Sequence, residues 1–89
     1  MEFEWDENKR LRTLEERGLD FRSADMFFDG RPVLQLPSLR SAEDRWKTTA
    51  IIEGLYYTLV WMWRGAVVRV ISLRRAHEDE ARAHRALHK

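Results

Sequence analysis

The spacing of apolar residues changes period three times along this chain, and each change marks a boundary between elements. Phe3-Glu4-Trp5 alternates apolar and acidic positions, which predicts a short strand. Asp6 follows as a helix N-cap, with Glu7 where the positive end of the helix dipole favours an acid. A polar helix is predicted over residues 7–17 with Leu11 and Leu14 as its apolar stripe, stopped by Gly18 as a left-handed cap. Asp20 is placed to cap a second short helix. Its Phe21, Ala24, Phe27 and Phe28 recur at near-helical spacing and read as core, and Asp29-Gly30 closes it.

After Pro32 the period becomes two. Residues 33–36 predict a strand, and Pro37 places it at a sheet edge because proline has no N–H to give a neighbour. Residues 38–44 are a polar loop. Trp46, Thr48, Ala50 and Ile52 then alternate with Lys47, Thr49 and Ile51 up to a turn at Glu53-Gly54. Residues 55–63 and 66–73 form two strong strands joined by a hairpin at Arg64-Gly65. Beyond Arg74-Arg75 the chain is helical again, with Glu78, Asp79 and Glu80 in the first turn and Arg82, Arg85 and Lys89 toward the end. The expected order is β-α-α-β-β-β-β-α. It implies an α+β fold: an antiparallel sheet of four or five strands, the 55–73 hairpin at its centre, with two N-terminal helices and one C-terminal helix on one face.

Eighty-nine residues hold one domain, 1–89, and are too few for most cofactor-binding folds. A composition 44% hydrophobic and 35% charged argues against disorder and against a membrane span. The longest nearly apolar stretch, residues 55–63, falls far short of the ~20 residues a spanning helix needs. The acidic start Met1-Glu2-Phe3-Glu4 is the reverse of a signal peptide. With no cysteine there is neither a disulfide framework nor a thiolate metal site, and a reducing cytoplasm is the simplest compartment. No cofactor is expected.

The net charge of +1 conceals a gradient. Residues 1–53 sum to −3 and residues 54–89 to +4, and thirteen of the sixteen cations are arginine. Arginine's planar fork grips phosphate or carboxylate through two bonds. A basic C-terminal part therefore reads either as solvated surface with ion pairs or as a face that meets nucleic acid or an acidic partner.

Arg69, inside Val67-Val68-Arg69-Val70-Ile71, shares its alternation with Val67, Ile71 and Leu73. Such an arginine needs a carboxylate, Glu53 or Glu43 for example, or a cleft. Arg64 lies a full strand away from Arg74, and Arg74 and Arg75 point to opposite faces if the strand continues. The loop Ser41-Ala42-Glu43-Asp44-Arg45-Trp46 places a carboxylate beside an arginine, which suits a general base next to a phosphate clamp as well as a surface ion pair. His84 and His88 are four apart, with Glu80 four before His84, a spacing that could bind zinc but is a weak signal without cysteine or a third firm ligand, so no metal site is expected.

Three blocks carry a resemblance: Phe3-Glu4-Trp5-Asp6-Glu7-Asn8-Lys9, Glu43-Asp44-Arg45-Trp46, and Arg69-Val70-Ile71-Ser72-Leu73-Arg74-Arg75-Ala76. In this order they resemble the BrnT toxins, the domain of unknown function 497 family. Arg17, Ser41-Ala42, Met62-Trp63 and His84 depart from the family pattern. The resemblance implies a RelE-like ribonuclease, the toxin of a type II toxin–antitoxin pair. It further implies neutralisation by a BrnA-type antitoxin with a ribbon-helix-helix part, through which the complex reaches operator DNA.

The family's polar positions fall on Lys9, Glu43, Arg45, Arg64, Arg69, Arg74 and Arg75. Metal-free RNA cleavage needs a base for the 2′-hydroxyl, cations for the charge gathering on phosphorus, and a proton for the leaving 5′-oxygen. Glu43 is the candidate base, Arg45, Arg64 and Arg69 the clamp, His84 the acid, and Lys9, Arg74 and Arg75 substrate contacts. Trp61 or Trp63 is a candidate platform for a base, although both suit the core. The alternative is a non-catalytic module whose arginines hold an acidic antitoxin or nucleic acid.

Overall fold

A computed structural model describes residues 1–39 and 44–89. The elements are β1 (Glu2–Glu4), α1 (Glu7–Arg17), a 3₁₀ helix (Phe21–Phe28), β2 (Val33–Ser38), β3 (Arg45–Ile52), β4 (Leu55–Arg64), β5 (Val67–Arg75) and α2 (Glu78–Leu87). The five strands form one sheet in the order β1-β5-β4-β3-β2. β2 to β5 pair antiparallel through short connections, whereas β1 runs parallel to β5. The sheet is thus mixed, not antiparallel throughout, and β4 is its central strand. The parallel pair joins the beginning of the chain to its last strand, a pairing that local periodicity cannot specify. β2 occupies the expected edge and runs through Pro37.

Local signals act where the sequence places them. The Asp6 carboxylate accepts from the backbone N–H of Asn8 (2.9 Å) and Lys9 (3.3 Å), and Gly18 ends α1 with φ +69°. The second helix is a 3₁₀ helix, with the Ser23 N–H donating to Asp20 O (3.0 Å). Its apolar spacing explains this. Phe21, Ala24 and Phe27 are three apart, so a helix of three residues per turn aligns all of them on one buried edge. A single N-terminal α-helix plus this 3₁₀ segment therefore replaces the two expected helices. The expected stripe of α1 also differs: Leu11 and Leu14 are exposed, and Thr13 is buried. Polar ties hold α1 instead, through Arg10 to Asp20 (3.2 Å) and through Arg17 Nη1 to the Leu73 carbonyl (3.0 Å).

The core lies on one face of the sheet, where Ala50, Leu59, Trp61, Val68, Val70 and Leu73 meet the 3₁₀ helix. α2 packs against β2 and β3, with Glu80 reaching Thr58 on the face opposite Leu59. Helical segments thus cover both faces, not one. A β-bulge between Val60 and Trp61 pairs Val60 with Ser72 but Trp61 with Val70, leaving Ile71 unpaired. The extra residue resets the alternation. Val68, Val70 and Leu73 all enter the core, and Arg69 no longer shares a face with Leu73 as strict alternation requires.

Candidate functional site

α2 covers only part of its face of the sheet, and the open remainder is lined with cations. Lys9 from α1, Arg45 and Lys47 from β3 and Arg74 from β5 surround a cleft of about 780 Å³, with Val60, Ile71 and Ser72 on its floor and His77 at its rim. No carboxylate among the described residues lines it. The parity of β3 explains the sidedness. Trp46, Thr48 and Ala50 serve the core, so Arg45 and Lys47 must emerge on the other face.

Lys9 is held by the Asp6 cap in the first turn of α1. Burial, with Arg45 next in effect, lowers its pKa from the ordinary 10.5. The two cations together present positive potential to the cleft.

Behind the cleft wall sits Glu80, only 6% exposed. Its carboxylate accepts from Arg74 through both terminal nitrogens (2.7 and 2.9 Å), from the His77 N–H (2.8 Å) and from Thr58 Oγ1 (3.1 Å), with Lys47 Nζ at 3.5 Å. Burial alone pushes the acid's pKa up. The Arg74 pair and the His77 amide outweigh it and hold the carboxyl at about 2, against an ordinary 4.5. Since the folded value is depressed, Glu80 stabilises the fold above pH 4.5, and that contribution is lost as pH falls toward 2. The melting temperature should therefore decline through this window, and Glu80→Gln should flatten the decline. An unchanged profile in the variant would show that other acids dominate.

The remaining sequence candidates fall in three places. Arg64 and Arg69 share Glu4 farther along the open face, with Arg64 Nη2 at 2.6 Å and Arg69 Nη1 at 2.9 Å from its oxygens. Arg64's hydrogen bond first, and then Arg69's, lower the Glu4 pKa to about 2 against the opposing effect of burial. Neither Glu53 nor Glu43 is needed to explain Arg69: its partner is Glu4, contributed by the parallel strand. Arg75 points away from the cleft, donating to the Tyr56 carbonyl (3.3 Å) and lying 5.5 Å from the Tyr57 ring centre. His84 is buried on the inner side of α2, its Nε2 3.1 Å from the Pro32 carbonyl, and lines a separate hollow with Tyr56 and His88. Glu43 lies outside the described residues, two positions before Arg45.

Trp61 is a core residue, whereas Trp63 is 47% exposed and stands edge-on to it. Sequence reasoning passed over Lys47 and Glu80. Lys47 showed itself as a cation opposite the apolar alternation of β3, and Glu80 as one of three acids at the start of α2. Neither signal separates a site residue from a solvated one.

A five-stranded mixed sheet with one face closed by core and the other left half open and lined with cations defines a small α+β domain. The chain belongs to the family described as the ribonuclease toxin, BrnT, of type II toxin–antitoxin systems, whose family model matches residues 5–80. No curated protein matches it. Family membership implies a protein antitoxin as partner. Among the described residues, no helix is long and apolar enough to cross a membrane.

Proposed function

We propose that this chain cleaves single-stranded RNA in the cleft of Lys9, Arg45, Lys47 and Arg74, without a metal ion, and thereby inhibits translation in the cytoplasm. The observation that carries the proposal is the convergence of these four cations from α1, β3 and β5 on a cleft without carboxylates among the described residues. Glu43, two residues ahead of Arg45, takes the proton from a ribose 2′-hydroxyl. The 2′-oxygen attacks the adjacent phosphorus, the bond to the 5′-oxygen breaks, and a 2′,3′-cyclic phosphate and a 5′-hydroxyl result. Arg45, Lys47 and Arg74 stabilise the additional charge on the phosphoryl oxygens. Lys9 protonates the departing 5′-oxygen, a role for which its lowered pKa suits it and for which His84, buried elsewhere, is poorly placed.

Arg69 and Arg64 follow the cleft along β4 and β5, at the register positions of Met62 and Val67. Successive positions on one face of a strand are about 7 Å apart, close to the spacing of phosphates in an extended strand. These arginines hold flanking phosphates, with Glu4 exchanged for the RNA. The protein partner is a BrnA-type antitoxin that carries the ribbon-helix-helix part, so operator DNA is met only through it.

Incubation of the purified chain with a single-stranded RNA of mixed sequence tests the chemistry. Cleavage should persist in EDTA, stop when the 2′-hydroxyls are replaced by hydrogen, and leave cyclic phosphate ends. Dependence on added magnesium or zinc, or cleavage of the 2′-deoxy strand, would contradict the mechanism. RNA binding without cleavage would make the chain a binding module.

A further inference from the structure

Glu80 does more than cap α2. One hydrogen bond, from the His77 N–H, serves the helix start. His77 Nδ1 also lies 3.8 Å away, and the remaining partners come from the sheet: Arg74 on β5, Thr58 on β4 and Lys47 on β3. The carboxylate thus stands over the central strand and reaches a cation on each side of it, and both cations line the cleft. Lysine and arginine side chains have many rotamers, and fixing them at the moment of binding weakens affinity. A buried anion that holds both beforehand removes that cost.

We propose that Glu80 is a positioning residue for RNA: it presets Lys47 and Arg74 at a fixed separation, so that the cleft meets phosphate with both cations already in place. The proposal rests on the cleft being the RNA site. Charge alone predicts the opposite sign for the loss of Glu80. Removing a carboxylate makes the cleft more positive and should tighten RNA binding. Positioning predicts weaker binding. The two effects are therefore separable by direction.

The test is the affinity of the purified chain for a fluorescein-labelled single-stranded RNA of mixed sequence. Its 2′-hydroxyls are methylated so that binding is read without cleavage, and Kd is measured across a salt series. Glu80→Gln should weaken binding about tenfold, the scale of a charge-assisted hydrogen bond. The dependence of log Kd on log salt should become shallower by roughly 0.7 for each phosphate that is no longer neutralised. Lys47→Met should have a similar effect, and Glu80→Gln should cost less in the Lys47→Met background because part of what Glu80 holds is already gone.

Thr48→Val serves as the control. Thr48 is buried on the core face of β3, opposite the cleft, where its Oγ1 accepts from Trp61 Nε1 (2.9 Å), so the change should lower the melting temperature and leave Kd and the salt slope unchanged. Should Glu80→Gln fail to fold, Glu80→Asp keeps the charge and withdraws it by one methylene. It should then weaken binding by about threefold. Tighter binding by Glu80→Gln, or unchanged binding by Glu80→Asp, would overturn the proposal. A loss in Lys47→Met with none in either Glu80 variant would overturn the positioning role and leave the RNA site standing. No loss in Lys47→Met would overturn both.

Discussion

Glu43→Gln and Lys9→Met should each lower RNA cleavage by roughly 100-fold or more, the usual contribution of a positioned acid or base. The two differ in what else they change. Glutamine keeps the shape of Glu43 but cannot take a proton and no longer repels phosphate, so the RNA affinity of Glu43→Gln should equal or exceed that of the parent. Lys9→Met removes an ammonium that the fold holds at a disadvantage, since burial and then Arg45 lower its pKa. Its melting temperature should accordingly equal or exceed the parent's. Lys9→Arg separates the proton from the charge. Arginine stays protonated to far higher pH, so the alkaline fall in rate attributable to Lys9 should move upward or vanish. Rates within threefold of the parent for both Glu43→Gln and Lys9→Met would show that the chemistry lies elsewhere.

Trp61→Ala should cost the domain about 3–5 kcal/mol. For a chain of this length that is a large share of a stability of ~5–15 kcal/mol, and it corresponds to a fall in melting temperature of about 15 °C or more. The indole is 2% exposed at the centre of the sheet. It stands edge-on to Phe28 (5.1 Å between centres) and Trp63 (5.2 Å), and stacks on Trp46 at 6.4 Å. Its N–H donates to Thr48 Oγ1 (2.9 Å), so truncation both opens a cavity and removes a buried hydrogen bond. Trp61→Phe should recover most of the packing and leave the cost of the missing bond. Trp63→Ala, at a half-exposed position, should shift the transition by only a few degrees. Thermal unfolding followed by circular dichroism measures all three, and a fall below 5 °C for Trp61→Ala would remove it as the keystone of the core.

The candidate site was legible in part, and the division follows the range of the interactions. Lys9, Arg45 and Arg74 stood out as polar residues at strand or helix boundaries within family-like blocks, and all three line the cleft. Lys47 was written in the sequence as a cation in an alternating strand, but nothing local says which face that strand leaves open. Glu80 looked like an ordinary first-turn acid favoured by the helix dipole. Only the packing of α2 onto β2 and β3 carries it to Arg74 and Lys47. His84 and Arg75 were equally polar and equally placed in sequence. Burial on the inner side of α2 takes His84 out of the cleft, and the opposite strand parity takes Arg75 out.

By itself the sequence determined what short-range physics controls. The Asp6 and Asp20 caps, the Gly18 stop, the strands flanking Arg64-Gly65, the edge position forced by Pro37 and the final helix all follow from hydrogen bonds and sterics spanning a few residues. Tertiary structure decided the rest. The parallel pairing of β1 with β5, the choice of 3₁₀ geometry for residues 21–28, the bulge at Ile71 and the coverage of both faces depend on partners far away in sequence. The physical reason is that a strand's alternation fixes which residues share a face, whereas its neighbours and the elements packed on each face are set by the burial of the whole apolar surface at once.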